Sequence, residues 1–251
     1  LSDWQVTISG RTVAGMTWID RAILFSPLDY AAILFLLGAW LWIGWRIEHP
    51  AAHKPSVSMM MDDFRRKWMR EMVTRQPRMF DAQVVGTMRQ GSTFFASTTM
   101  IAIGGGVALM GNTERLAGVA KDLAIGSAPA VVWEVKILIV ILFLANAFLK
   151  YVWAHRLFGY CAVLMAAVPN DPDNSEAYPR AAQAAEICVT AARSFNRGLR
   201  VTYFALGALA WILGPVALIV SSLITLGVLY RREFVSHSRT VLMTRPPNTE
   251  T

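Results

Sequence analysis

Val201–Tyr230 reads VTYFALGALAWILGPVALIVSSLITLGVLY, thirty residues without one charged side chain. A helix crosses hydrocarbon in ~20 residues, and lipid obliges each backbone amide to be satisfied within its own segment. The stretch therefore reads as a transmembrane helix, bent where Pro215 removes a backbone donor. Tyr30–Trp45, Ser92–Gly111 and Ile137–Leu149, the last extended by Tyr151–Ala154, repeat the pattern between clusters of Lys and Arg. The predicted spans are 28–46, 91–111, 131–154 and 201–230. The fold class that follows is all-α: a polytopic membrane protein with four transmembrane helices plus a basic amphipathic helix on the cytoplasmic side.

Composition agrees. Hydrophobic types make up 55% of the 251 residues and mean hydropathy is +0.41, above the ~45–50% apolar content of soluble domains. The net charge of +7 sits beside the apolar stretches, where anionic headgroups lie. Membrane lipids, anionic ones above all, are thus the expected partners, and nucleic acid is not. The two cysteines, Cys161 and Cys188, have no disulfide-framework or zinc spacing and are expected as small buried hydrophobes. No basic stretch runs directly into an apolar core near residue 1, so no cleavable signal peptide is expected.

Residues 1–27, with Trp4 and Trp18, suit a segment lying in the interface, and Pro27 suits a helix start. The tail 235–251 is predicted to be polar and disordered. Loops 46–90 and 150–200 hold fifteen Lys and Arg; the N-terminal segment, loop 113–136 and the tail hold nine. The positive-inside rule then places both termini outside the cytoplasm, with Arg231 and Arg232 weighing against it.

Three helical faces carry the candidate contacts. Ser92, Ala96, Thr99, Ala102 and Gly106 recur every three or four residues and form a small face for helix packing. Alternatively, the hydroxyls line a polar route. Ser58 is placed to cap a helix from Met59 to Thr74, with Met61, Phe64, Trp68 and Met72 on one face and Arg65, Arg66, Lys67 and Arg70 around it. Such a helix either lies on an anionic membrane surface or packs on the protein's own cytoplasmic helices. Asn146 and Lys150 are one turn apart, with His155 and Arg156 beyond, while Asn196, Arg197 and Arg200 precede the fourth span. If they meet, Asn146, Lys150, Arg156, Asn196, Arg197 and Arg200 form a basic pocket for a lipid phosphate or another anion. Otherwise they are positive-inside anchors. The third helix is able to run on to Val168, so Leu157–Val168 is expected beyond the membrane or along it.

Phe94–Gly106 (FFASTTMIAIGGG), Lys150–Cys161 (KYVWAHRLFGYC), Ser194–Ala205 (SFNRGLRVTYFA) and Leu229–Phe234 (LYRREF) resemble an uncharacterised bacterial family of integral membrane proteins, domain of unknown function 599. The resemblance covers roughly residues 28–234. It implies a multi-span protein of the bacterial inner (cytoplasmic) membrane and supplies no reaction, substrate or cofactor.

The chain shows no GxSxG elbow, phosphate-cradling glycine loop, HExxH motif or intramembrane carboxylate pair, and of its four histidines only His155 approaches a span. No catalytic, cofactor or metal residue is assigned, no cofactor is expected and the expectation is a protein that is not an enzyme. The reading that remains is contact: an accessory, assembly or scaffold subunit of a larger membrane complex, bound to other membrane-protein subunits or to itself. The rival is a small homo-oligomeric transporter or channel.

Overall fold

The structure is a computed structural model, and it describes residues 24–112 and 129–244. The predicted interfacial segment, apart from its last few residues, and most of the 112–130 loop lie outside the described residues.

α1, Pro27–Glu48, starts on a reciprocal cap: the Asp29 amide donates to Ser26 Oγ at 3.2 Å and the Ser26 amide donates to Asp29 Oδ2 at 3.0 Å. Pro27, lacking a donor, sits where none is needed. α2, Val57–Met72, begins two residues earlier than Ser58 would dictate, because Ser56 caps it by accepting from the Met59 amide. Three long helices follow: α3, Met79–Met110, α4, Ala130–Ala166, and α5, Ala177–Ala208. At 1.5 Å per residue α4 is ~55 Å long, well beyond a bilayer.

The predicted single span 201–230 is corrected by the structure. α5 tightens into a 3-10 turn at Leu209–Leu213, and Gly214 follows at φ 123°, ψ 171°. α6, Pro215–Phe234, then runs back alongside α5. Ser221 Oγ donates to the Gly207 carbonyl at 2.8 Å, and Arg232 donates to the Tyr203 hydroxyl. A Gly-Pro pair reverses the chain here instead of bending it, because only glycine accepts that backbone conformation. The one predicted span is two antiparallel helical segments, of which the helix begun at Pro215 is long and apolar enough to cross a membrane.

Four helices are long and apolar enough to cross a membrane: α1, α3, α4 and the helix begun at Pro215. The protein is a multi-pass, all-helical membrane protein. The last third of α5 lies among these helices, and α6 runs parallel to α1. Trp211 Nε1 donates to Asp29 at one end, 2.7 Å, and the Arg46 guanidinium covers the Phe234 ring at the other, 4.9 Å. The start of α1 and the end of α6 therefore lie at opposite ends of the bundle. Of the predicted tail 235–251, residues 245–251 lie outside the described residues, and His237–Met243 form α7, capped by Ser236 and tied back by Arg239 Nε donating to the Pro55 carbonyl.

Two cores are stacked along the long helices. The first joins α1, α4, α5 and α6 through Leu36, Ile43, Phe143, Tyr151, Phe204 and Trp211. In lipid, apolar burial gives no advantage to one partner over another, so close approach decides. Ala32, Ala39, Ala147, Ala205 and Ala208 supply it, and a Cβ on Gly198 would stand 2.7 Å from the Tyr151 ring. The second core lies beyond, where Met69, Met72, Leu157, Phe158 and Met165 meet the alanine face Ala177–Ala192 of α5. This is where Leu157–Val168 was expected to leave the membrane. Exposed Trp42, Trp45, Trp153 and Tyr160 ring the level between the cores, the depth that amphipathic aromatics favour.

The predicted faces are partly re-dealt. Ser92, Ala96 and Thr99 are buried against α4, and Gly106 touches Ile141, but Ala102 is exposed and Ile103 takes its turn. α2 packs on the chain's own helices. Met72 is fully buried with Asp62 and Met69, Trp68 is half-buried and donates to Asp81 at 2.7 Å, and Phe64 and, in part, Met61 are left at the surface. A wholly membrane-facing stripe of Met61, Phe64, Trp68 and Met72 is therefore not what the fold presents.

Candidate functional site

Arg193, Arg197 and Arg200 recur at four and three residues along α5, so one helical face carries three guanidinium groups. The fold answers them with carboxylates from other elements. Glu48, the last residue of α1, takes a two-pronged contact from Arg197 (Nε to Oε1 2.8 Å, Nη2 to Oε2 2.5 Å) and a third bond from Arg200, 2.6 Å. Arg200 is 7% exposed, so this bond is what makes its burial tolerable. Asp62 of α2, itself buried, accepts from Arg193 Nε at 2.8 Å and from Arg65 at 3.2 Å. Glu233 of α6 accepts from both the amide and the hydroxyl of Ser58, at 3.0 and 2.8 Å. Ser58 thus fastens α2 to α6 instead of capping α2.

Arg193, Arg197, Arg200, Glu48, Asp62 and Ser58 surround a cavity of about 230 Å³, also lined by Ile47, His49, Met59 and Asn196. Three guanidinium groups face two carboxylates across it. Two positive charges are therefore already matched, and the cavity is an ion-paired lattice in place of the open basic pocket expected. Of the predicted set, Asn196, Arg197 and Arg200 line it. Lys150 stands within electrostatic reach of Arg197, Arg200 and Glu48, and its carbonyl accepts from Ser194 Oγ at 2.9 Å. Asn146 lies one turn deeper along α4. Arg156 is absent from the lattice: it projects outward and donates to the Tyr160 hydroxyl at 3.0 Å.

The residues the sequence reading missed are the acids. Glu48 and Asp62 lie far along the chain from Arg197, Arg200 and Arg193, and Glu233 lies as far from Ser58. The available signal was the arginine register itself, since three cations on one half-buried face require counter-charges. A second clamp follows the same logic further out: Arg66 donates to both oxygens of Glu186, at 2.6 and 3.3 Å. That bond holds the Glu186 carboxyl below the usual carboxylate range.

At the inner end of α3, Asp81 is fully buried and accepts from Trp68 and Arg75. Arg78 donates to the Val168 and Pro169 carbonyls, both at 2.7 Å, closing the free end of α4. On the far side of α4, His155 meets Thr93 (Nδ1 to Oγ1 2.9 Å) and Arg89 (Nε to Nε2 3.4 Å). Among the described residues no three His, Cys, Asp or Glu side chains form a group able to hold a metal.

Comparison with known proteins gives one match: the family described as "Protein of unknown function, DUF599" covers residues 31–238. No curated protein and no solved structure matches the chain.

Proposed function

Because the chain belongs to DUF599, whose description names no reaction, we propose a function from the geometry: an accessory or scaffold subunit of a larger membrane assembly, acting through contact. One observation carries the reading, a filled interior beside an open edge. Between α1, α4, α5 and α6 the space at membrane depth is occupied by packed aromatic and aliphatic side chains, and the ion-paired cavity ends on them. A single copy therefore supports no polar route across the bilayer. α3, by contrast, packs on one side only, and just 6% of its apolar window is buried. Its free side presents Phe94, Thr98, Ile101 and Gly105, with nothing within 4 Å of a Cβ built on Gly105. Bulky and small residues alternating on one face suit the close approach of another membrane helix.

The same reading places the protein in a bacterial inner membrane with the ion-paired end in the cytoplasm. Of the nineteen Lys and Arg among the described residues, eighteen lie at or beyond that end, and Lys136 alone lies beside Trp211. The reversal at Gly214 removes the objection that Arg231 and Arg232 raised, since it brings them to the basic side.

A photo-crosslinking residue at Thr98, on that free side, tests this. In native membranes it is expected to capture an unrelated polypeptide that also co-extracts in fixed stoichiometry in mild detergent. A pure homo-oligomer whose liposomes pass ions or solutes overturns the reading in favour of a transporter or channel.

A further inference from the structure

On the side away from the ion-paired lattice, α3 and α4 flank a groove of about 460 Å³. Ala96, Met100, Ile101, Phe148 and Val152 form its walls, and Thr93 and His155 its inner end. From Thr93 to Ile101 it runs ~12 Å along the helix axis at 1.5 Å per residue. The Thr93 hydroxyl donates to the Arg89 carbonyl at 3.2 Å, so His155 Nδ1 carries the proton it gives to Thr93. His155 Nε2 is then the acceptor that Arg89 Nε requires. The imidazole thereby fixes the Arg89 side chain, which lies along α4 with its guanidinium carbon 3.9 Å from a Cβ built on Gly159.

Arg89 is held in place by His155 and yet has no carboxylate partner among the described residues. Arg65, Arg66, Arg75, Arg180, Arg193, Arg197 and Arg200 each hold a carboxylate. Among the described residues neither Arg89 nor Arg156 forms an ion pair, and the two terminal nitrogens of Arg89 make no hydrogen bond. Exposed Trp153 and Tyr160 mark the same level, where lipid phosphates meet the hydrocarbon.

We propose that this groove is a binding site for one phospholipid with an anionic headgroup, an acyl chain lying against Ala96, Met100, Phe148 and Val152 and the phosphate on Arg89, with Arg156 beside it. Arginine suits the role because its planar fork matches phosphate oxygens in pairs. The groove is linear, apolar and open sideways to the bilayer, which fits a chain better than a folded partner. The groove shares Ile101 with the docking edge, whose other residues, Phe94, Thr98 and Gly105, lie outside it.

The experiment compares spin-labelled phosphatidylglycerol with spin-labelled phosphatidylcholine on the full chain reconstituted in phosphatidylcholine vesicles. The wild type is expected to prefer phosphatidylglycerol roughly fivefold, the contribution of one interfacial cation. Arg89→Gln is expected to bring the ratio near one, and Ser97→Trp, which fills the groove, to reduce association of both lipids. Gly159→Leu, displacing the guanidinium while keeping it, is expected to lower the ratio as well and stands in if Arg89→Gln does not fold. Equal association of the two lipids with the wild type, a preference that survives Arg89→Gln or Gly159→Leu, or complete displacement by inorganic phosphate overturns the proposal.

Discussion

Glu48 concentrates the electrostatics of the inner end in one side chain. It is the shared acceptor for Arg197 and Arg200, and Arg200 has almost no water to fall back on. Glu48→Gln keeps the shape and removes the charge, so it strands a buried cation. The expected loss is about 1–3 kcal/mol, below the full value for a buried pair because Glu48 is itself partly hydrated. It is read as a lower unfolding midpoint in detergent. Adding Arg200→Met is expected to recover most of that loss, and a double variant no better than the single one would show that the pair does not act as a unit. At this scale the sequence was half legible. Arg193, Arg197 and Arg200 display their common face in their own spacing, but no local pattern points from them to Glu48 or Asp62, because ion pairing between distant helices leaves no periodic trace.

The hairpin of α5 and α6 turns on Gly214, whose φ of 123° and ψ of 171° are open to glycine and strained for other residues. Gly214→Ala is expected to destabilise by about 1–3 kcal/mol, measured as the same midpoint. An alanine variant as stable as the wild type would mean that the turn relaxes easily. Gly198→Val is a second test at the element scale, on packing: the new side chain meets the Tyr151 ring, and the expected loss is about 1–3 kcal/mol. Hydropathy located these helices well, down to the Pro27 start. It misjudged 201–230 because apolar composition records that a segment is in lipid and not which way it runs. The small face of α3 was legible at Ser92, Ala96 and Thr99, where neighbours press on it, and failed at Ala102, where α3 turns toward open space. For α2, the packing alternative prevailed because Asp62 finds Arg193 and Met69 finds α5.

For the whole molecule, the reversal at Gly214 goes with the start of α1 and the end of α6 lying at opposite ends of the bundle. A cysteine at Ser238 is expected to react with a membrane-impermeant maleimide only from the cytoplasmic face, and one at Ser26 only from the opposite face. Labelling of both from one side would restore a single bent span. The eighteen-to-one distribution of described basic residues sets the direction of this expectation.

The pairing of α1 with α6 also has a consequence in time. α1 is made first, and the helix that covers it begins about 190 residues later, an interval of roughly 10–40 s at translation rates of ~5–20 residues per second. Through that wait the face holding Ala32, Leu36, Ala39 and Ile43 has only α4 and α5 as partial cover and otherwise meets lipid tails or the insertion machinery. It carries no group that would suffer there, since Asp29 and Glu48 sit at the two ends. The bundle is thus a ring whose first stave stays loose until the last is laid, and a ribosome that stalls before Gly214 leaves it open.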